Sequence, residues 1–331
     1  MQNVVVCKRM LPLVFSRDNE RIFLYRDDNI LTIESPNVKP IVHLLKPLSK
    51  VEFLNKEQIT EVIDAFKAQR LTIGFVPTMG ALHKGHLALV EKALANNDKV
   101  VVSVFVNPTQ FNNTEDLEKY PRTLEHDIAL LESISKDVLV FAPSVEVMYE
   151  GNTTSRHFDF DGLEYEMEGK FRQGHFNGVG TVVKRLFEIV KPDNAYFGEK
   201  DFQQLQIIKK LVSKYNIPVN VLGCKIHRES NGLAMSSRNT RLTDLQKKEA
   251  PFIYKMLKAA KILFGTKSAN EVSKWVTKQF ESNNILKLEY FNISEVDSLK
   301  EIKRKSKNKK YRAFIAVYAG EIRLIDNIAL N

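Results

Sequence analysis

Residues 1–39 alternate apolar and polar positions only weakly, with turn signals at Asp27-Asp28-Asn29 and Ser35-Pro36, and read as a strand-rich extension or an added upstream stretch. From about residue 56 the pattern becomes regular. Ile59, Val62, Ile63 and Phe66 recur at helical spacing, which predicts a helix over 56–69. Leu71–Val76 is a short apolar strand, followed by a helix over 85–96. Lys99–Val106 is a continuous apolar run of the kind buried on both faces of a sheet. A helix over 124–135, a strand at Val138–Phe141, helices over 176–190 and 202–215, and a strand at Val219–Ile226 follow. This alternation predicts a parallel sheet covered by helices. Beyond about 227 the texture changes. Two Lys-rich amphipathic helices, 243–264 and 268–282, precede strand-like stretches near 286–293, 311–319 and 321–328, an order that predicts a smaller α+β domain.

Composition narrows the class. A chain of 331 residues with 44% hydrophobic and 27% charged residues has the balance of a soluble globular protein of one large or two ordinary domains. No run approaches the roughly 18 apolar residues of a membrane span. Lys8 and Arg9 precede no apolar core with a cleavage site, so no signal peptide is read. Cys7 and Cys224 are too few for a disulfide framework, which points to the cytoplasm. The net charge of +9 fits nucleic acid, or equally an enzyme of anionic substrates. Much of it sits in Lys300, Lys303, Arg304, Lys305, Lys307, Lys309 and Lys310, without an interleaved aromatic, and reads as a solvated loop.

Four constellations carry chemistry. Pro77-Thr78-Met79-Gly80-Ala81-Leu82-His83-Lys84-Gly85-His86 lies between a strand and a helix, where backbone N–H groups and the helix dipole favour an anion. Two imidazoles three apart can both donate to a phosphate there. Gly80 and Gly85 have the spacing of a Walker A loop, but His86-Leu87 stands where Lys-Ser/Thr belongs. Phe105-Val106-Asn107-Pro108-Thr109-Gln110-Phe111 ends the next strand with amides that can orient a polar substrate. Tyr120-Pro121-Arg122-Thr123 precedes a helix whose first turn holds Asp127, either a favourable helix-start charge or a metal ligand. Gly198-Glu199-Lys200-Asp201-Phe202-Gln203-Gln204 offers a point charge for a nucleotide and a carboxylate for a ribose hydroxyl. Gly232-Leu233-Ala234-Met235-Ser236-Ser237-Arg238-Asn239 offers two hydroxyls and a guanidinium for phosphate oxygens.

These motifs, with the loop Gly174-His175-Phe176-Asn177-Gly178, resemble the pantothenate synthetase family over about residues 45–331. The resemblance implies a Rossmann-like domain over 45–226 and a lid domain over 227–331, after an extension, 1–44, without a family counterpart. It implies a homodimer that joins pantoate and β-alanine, turning ATP with Mg²⁺ into AMP and pyrophosphate through an acyl-adenylate. His83 and His86 would hold the triphosphate. Pro77, Met79, Gly80, Lys200 and Met235 would line the nucleotide site, with Gly198 and Asp201 near the ribose. Gln110 and Gln204, helped by Asn107, would grip pantoate. Ser236, Ser237 and Arg238 would close over the phosphates. Asp127 matches a metal position, beside His126 where some members carry a second carboxylate. A different HxGH nucleotidyltransferase is disfavoured by Gln110 and Gln204, which suit a small hydroxy acid. An RNA-binding protein would be expected to pair aromatic platforms with arginines, which the Lys-rich loop does not.

Overall fold

The structure, a computed structural model, describes residues 13–17, 20–27, 30–34, 52–53 and 55–331. The chain divides into two compact units, Met1–Val51 and Glu52–Asn331. In the first, β1 (Leu13–Arg17), β2 (Glu20–Asp27) and β3 (Ile30–Glu34) form an antiparallel sheet, with Arg17 opposite Glu20 and Asp27 opposite Ile30.

The second unit begins with β4 (Glu52–Phe53) and α1 (Lys56–Ala68), whose Ile59 and Ile63 are buried. Then come β5 (Ile73–Thr78), α2 (Lys84–Leu94), β6 (Lys99–Val104), α3 (Thr114–Glu118), α4 (Leu124–Glu132), β7 (Val138–Phe141) and α5 (Val145–Tyr149). They are followed by α6 (Met167–Phe171), α7 (His175–Val190), β8 (Asn194–Gly198), α8 (Phe202–Lys214) and β9 (Asn220–Cys224). The six strands are parallel in the order β4-β7-β6-β5-β8-β9. The connections run outward from β5 through β6 to β7, then return to β8 on its other side. Such a reversal leaves a crevice at the carboxyl ends of the central strands, where open α/β sheets bind ligands. Three of the four motifs follow the ends of β5, β6 and β8.

The remainder comprises α9 (Asp244–Glu249), α10 (Phe252–Thr266), α11 (Ala269–Glu281) and an antiparallel sheet of β10 (Leu286–Glu295), β11 (Tyr311–Ala319) and β12 (Ile322–Ala329). The helix expected over 243–264 is two helices. Pro251 has no N–H to continue α9 and instead stands at the start of α10, whose Lys255 amide donates to its carbonyl. The short helices α3, α5 and α6 were absent from the sequence reading because a single turn of five residues carries too little apolar period to show. The basic stretch 303–310 is an exposed loop between β10 and β11.

Among the described residues, two hydrophobic clusters bear on the site. One packs Val76, Val90, Val100, Val102, Ile128, Leu131 and Val140 around the parallel sheet; the other packs Ile253, Leu257, Val272, Val276, Ile293, Ile315 and Val317. Between them lies a buried charged seam. Arg323 donates to both carboxylate oxygens of Glu168 on α6, at 2.7 and 2.8 Å, and also reaches Glu289. The Tyr290 hydroxyl donates to Glu168 at 2.7 Å. These bonds outweigh burial and hold the Glu168 carboxyl down at about 2.

Candidate active site

The turn after β5 is built on the left-handed region. Gly80 has φ 80° and Ala81 φ 49°. The amides of Ala81 and Leu82 donate at 2.9 and 2.8 Å to the two oxygens of the buried Asp127 carboxylate, which also accepts from the Thr123 hydroxyl. With both oxygens so engaged, Asp127 anchors the turn. Among the described residues no group of three or more His, Cys, Asp or Glu is arranged to hold a metal ion.

His83 caps α2. Its Nδ1 accepts from the Gly85 amide at 3.1 Å, so the neutral ring carries its proton on Nε2, as a donor. Its ring stacks on His86 with centroids 4.1 Å apart. Burial, aided by Lys200 and His227, lowers His83 to about 4. Burial, aided by His83 and Lys200, lowers His86 to about 3. Both rings are therefore neutral at neutral pH. The Gly85 between them has a physical reason: a Cβ there would meet the His83 ring at 2.9 Å.

After β6, a 3-10 turn (Pro108–Gln110) carries Gln110. Asn107 is buried beneath it. Its amide donates to the Gln110 side-chain oxygen and the Gly178 carbonyl, both at 3.2 Å, and its oxygen accepts from Tyr149 at 2.6 Å and Thr109 at 3.1 Å. Asn107 thus positions Gln110, and it also lines the cleft. His175 on α7 bonds the Gln110 carbonyl through Nδ1 at 2.8 Å; since a carbonyl only accepts, Nδ1 bears the proton. Gly178 lets α7 approach, because a Cβ there would lie 2.3 Å from the Thr109 carbonyl oxygen.

After β8, Gln203 and Gln204 diverge. Gln203 is buried and bonds the backbone of Leu163, Glu166 and Glu168; Gln204 faces the cleft. Lys200 is largely buried, with Asp201 3.8 Å away. The loop leading to the turn Ser237–Arg241 lines the cleft with Met235, Ser236, Ser237 and Arg238. Arg238 donates to Asp116 at 2.8 Å, and the Ser237 hydroxyl lies 3.1 Å from that of Tyr120.

One cleft of about 220 Å³ gathers Pro77, Met79, His83, His86, Asn107, Gln110, Gly198, Lys200, Asp201, Gln204, Met235, Ser236, Ser237 and Arg238. With this arrangement the chain matches the pantoate-beta-alanine ligase family over residues 52–329. The chain belongs to that family. It is 59% identical over 279 residues to a pantothenate synthetase of Flavobacterium psychrophilum, covering 84% of this chain and 99% of the relative. A pantothenate synthetase of Christiangramia forsetii is 57% identical over 279 residues, with the same coverage, 84% and 99%. The crystal structure of pantothenate synthetase from Thermus thermophilus superposes with TM-score 0.78 at 40% identity, over 84% of this chain and 99% of that one. That of pantoate-beta-alanine ligase from Francisella tularensis, complexed with beta-gamma ATP and β-alanine, gives 0.72 at 38% identity, over 85% and 98%. The protein is a ligase that joins pantoate and β-alanine.

Of the residues expected in the ligase site, Gly80 and Asp127 are not among those lining the cleft; Gly80 is in the turn after β5, and Asp127 holds that turn from α4. The sequence reading missed the apolar wall of Val179, Val182, Val183 and Leu186, because spacing of three and four on a helix reads as core. It also missed His227, which follows the end of β9 as the motifs follow β5, β6 and β8; that common position was the available signal.

Proposed function

We propose that the cleft performs this ligation in two stages through free pantoyl adenylate. In the first, a pantoate carboxylate oxygen attacks the α-phosphorus of ATP. A P–O bond forms, the bond to the bridging oxygen breaks, and pyrophosphate leaves with the electron pair. In the second, the β-alanine nitrogen attacks the acyl carbon, the C–O bond to phosphate breaks, AMP departs and the amine gives up a proton. Positioning and positive charge supply most of such a phosphoryl-centre displacement.

The observation that carries this reading is the pair of neutral, stacked imidazoles at the head of α2, in one cleft with Lys200 and Arg238. His83, with its proton on Nε2, and His86 donate to phosphate oxygens as charge develops. Lys200, Arg238 and the hydroxyls of Ser236 and Ser237 balance the triphosphate. Gly198 and Asp201 approach the ribose. Gln110 and Gln204 hold the hydroxyl groups of pantoate. Magnesium enters as part of the ATP substrate, held chiefly by phosphates, as is common for this ion. On the same reading the enzyme works as a homodimer in the cytoplasm, and sedimentation equilibrium of the purified chain tests the pairing.

The decisive experiment follows labelled pyrophosphate into ATP. Exchange is expected with pantoate alone, and AMP release to rise when β-alanine is added. Exchange that strictly requires β-alanine overturns the free adenylate.

A further inference from the structure

Asp326 and Asn327 are adjacent on β12 and project to opposite faces, as neighbours on a strand do. Each holds one of the two cationic segments of the cleft. On one face, the Asn327 amide donates to the carbonyls of both Glu199 and Lys200, each at 2.8 Å. Its own oxygen accepts from Arg312, which also reaches the Glu199 carboxylate at 3.1 Å. The short turn that presents Lys200 is thus held at two successive carbonyls by one amide. On the other face, Asp326 takes both terminal nitrogens of Arg228, at 2.6 and 2.9 Å. The Arg228 guanidinium lies 3.6 Å from the centre of the Tyr254 ring and donates to the Gly232 carbonyl at 3.1 Å. Arg228 and Ala234 are bridged as a hairpin, which delivers Ser236 and Arg238.

We propose that Asp326 and Asn327 are a positioning pair. Together they set the separation of Lys200 from the Ser236–Arg238 loop, and so the fit of the site to the triphosphate. Neither residue lies in the Lys200 or Arg238 motif, and neither lines the cleft described above. Each acts through a backbone or an arginine that it holds. Bidentate and doubly donated contacts suit this task because they define orientation as well as distance. Displacement of a preorganised group by about 1 Å can slow a reaction roughly 10²-fold, so this strand has leverage over chemistry it does not touch.

The inference rests on the proposed function, and its test separates the two. Pyrophosphate exchange is measured for the full chain, for Asn327→Asp, for Lys200→Ala and for the double variant. Asn327→Asp keeps the shape but removes both donations. It is expected to lower kcat for exchange by about 10–10²-fold while KM for pantoate changes little. Residues that act as a unit are strongly non-additive. The double variant should therefore be no slower than Lys200→Ala alone. Asp326→Asn is compared in the same way in an Arg238→Ala background. Losses that multiply in both pairs overturn the positioning role, as does a folded Asn327→Asp of normal kcat. Should Asn327→Asp fail to fold, Asn327→Ser, too short to reach both carbonyls, serves in its place. An unsubstituted chain without pantoate-dependent exchange overturns the function reading instead.

Discussion

His83 has two uses that substitution can separate. As the cap of α2 it accepts the Gly85 amide, and as a cleft residue it is available to substrate. His83→Ala should cost about 0.5–2 kcal/mol of stability as a lost cap. It should also slow pyrophosphate exchange by about 10²–10³-fold, the scale of one preorganised donor. His86 caps nothing, so His86→Ala should show the rate loss with a smaller shift in melting; the reverse pattern would sink the donor role. The imidazoles also make a pH signature. His83 near 4 and His86 and His175 near 3 all lie below the ordinary value of 6.5. The unfolded chain then binds protons that the folded chain refuses. Stability is full above about 6.5 and falls as pH drops toward 4, by about 1.4 kcal/mol per pH unit for each imidazole. Melting temperatures across that window should show the slope, and His175→Asn should flatten it. In the sequence, His83, His86, Gln110 and Lys200 were legible because each sits where a strand opens onto a helix. That Asn107 and Asp127 also hold loops was not legible, for a physical reason. A polar side chain that holds a loop and one that holds a substrate look alike until its partners are known, and the partners here, Gly178 and Ala81, lie 71 and 46 residues away.

At the scale of elements, the strand and helix periods of the parallel sheet were readable, since buried strands run continuously apolar and covering helices keep a stripe. The order of the strands was not, because it depends on which edges meet, and the cleft follows from that order. At Gly178, α7 comes close to the Pro108–Gln110 turn. Gly178→Ala would put a methyl against the Thr109 carbonyl and 2.8 Å from the Gln110 Cα. Overpacking of this kind costs about 1–3 kcal/mol. Since Gln110 rides on the displaced turn, KM should rise for pantoate more than for ATP. Equal rises for both substrates would mean that the turn does not carry the pantoate contact.

For the whole molecule, the cleft lies within Glu52–Asn331, its earliest lining residue being Pro77. Removing residues 1–39 should leave the exchange rate largely unchanged; a folded but inactive truncation would assign the extension a part in the site. The seam of Glu168, Arg323, Glu289 and Tyr290 has a consequence in heat. The two parts cannot come apart without breaking these ion pairs and the Tyr290 hydrogen bond together, and removing one partner of a buried pair typically costs about 3–5 kcal/mol. Residues 52–331 should therefore melt in a single endotherm whose calorimetric and van't Hoff enthalpies agree, the mark of one cooperative unit. Arg323→Met removes the guanidinium but leaves Glu168 stranded, and should divide that endotherm, the α/β part and the smaller sheet melting apart. Seen in a calorimeter, a parallel sheet and an antiparallel one, pinned together by charge, count as one.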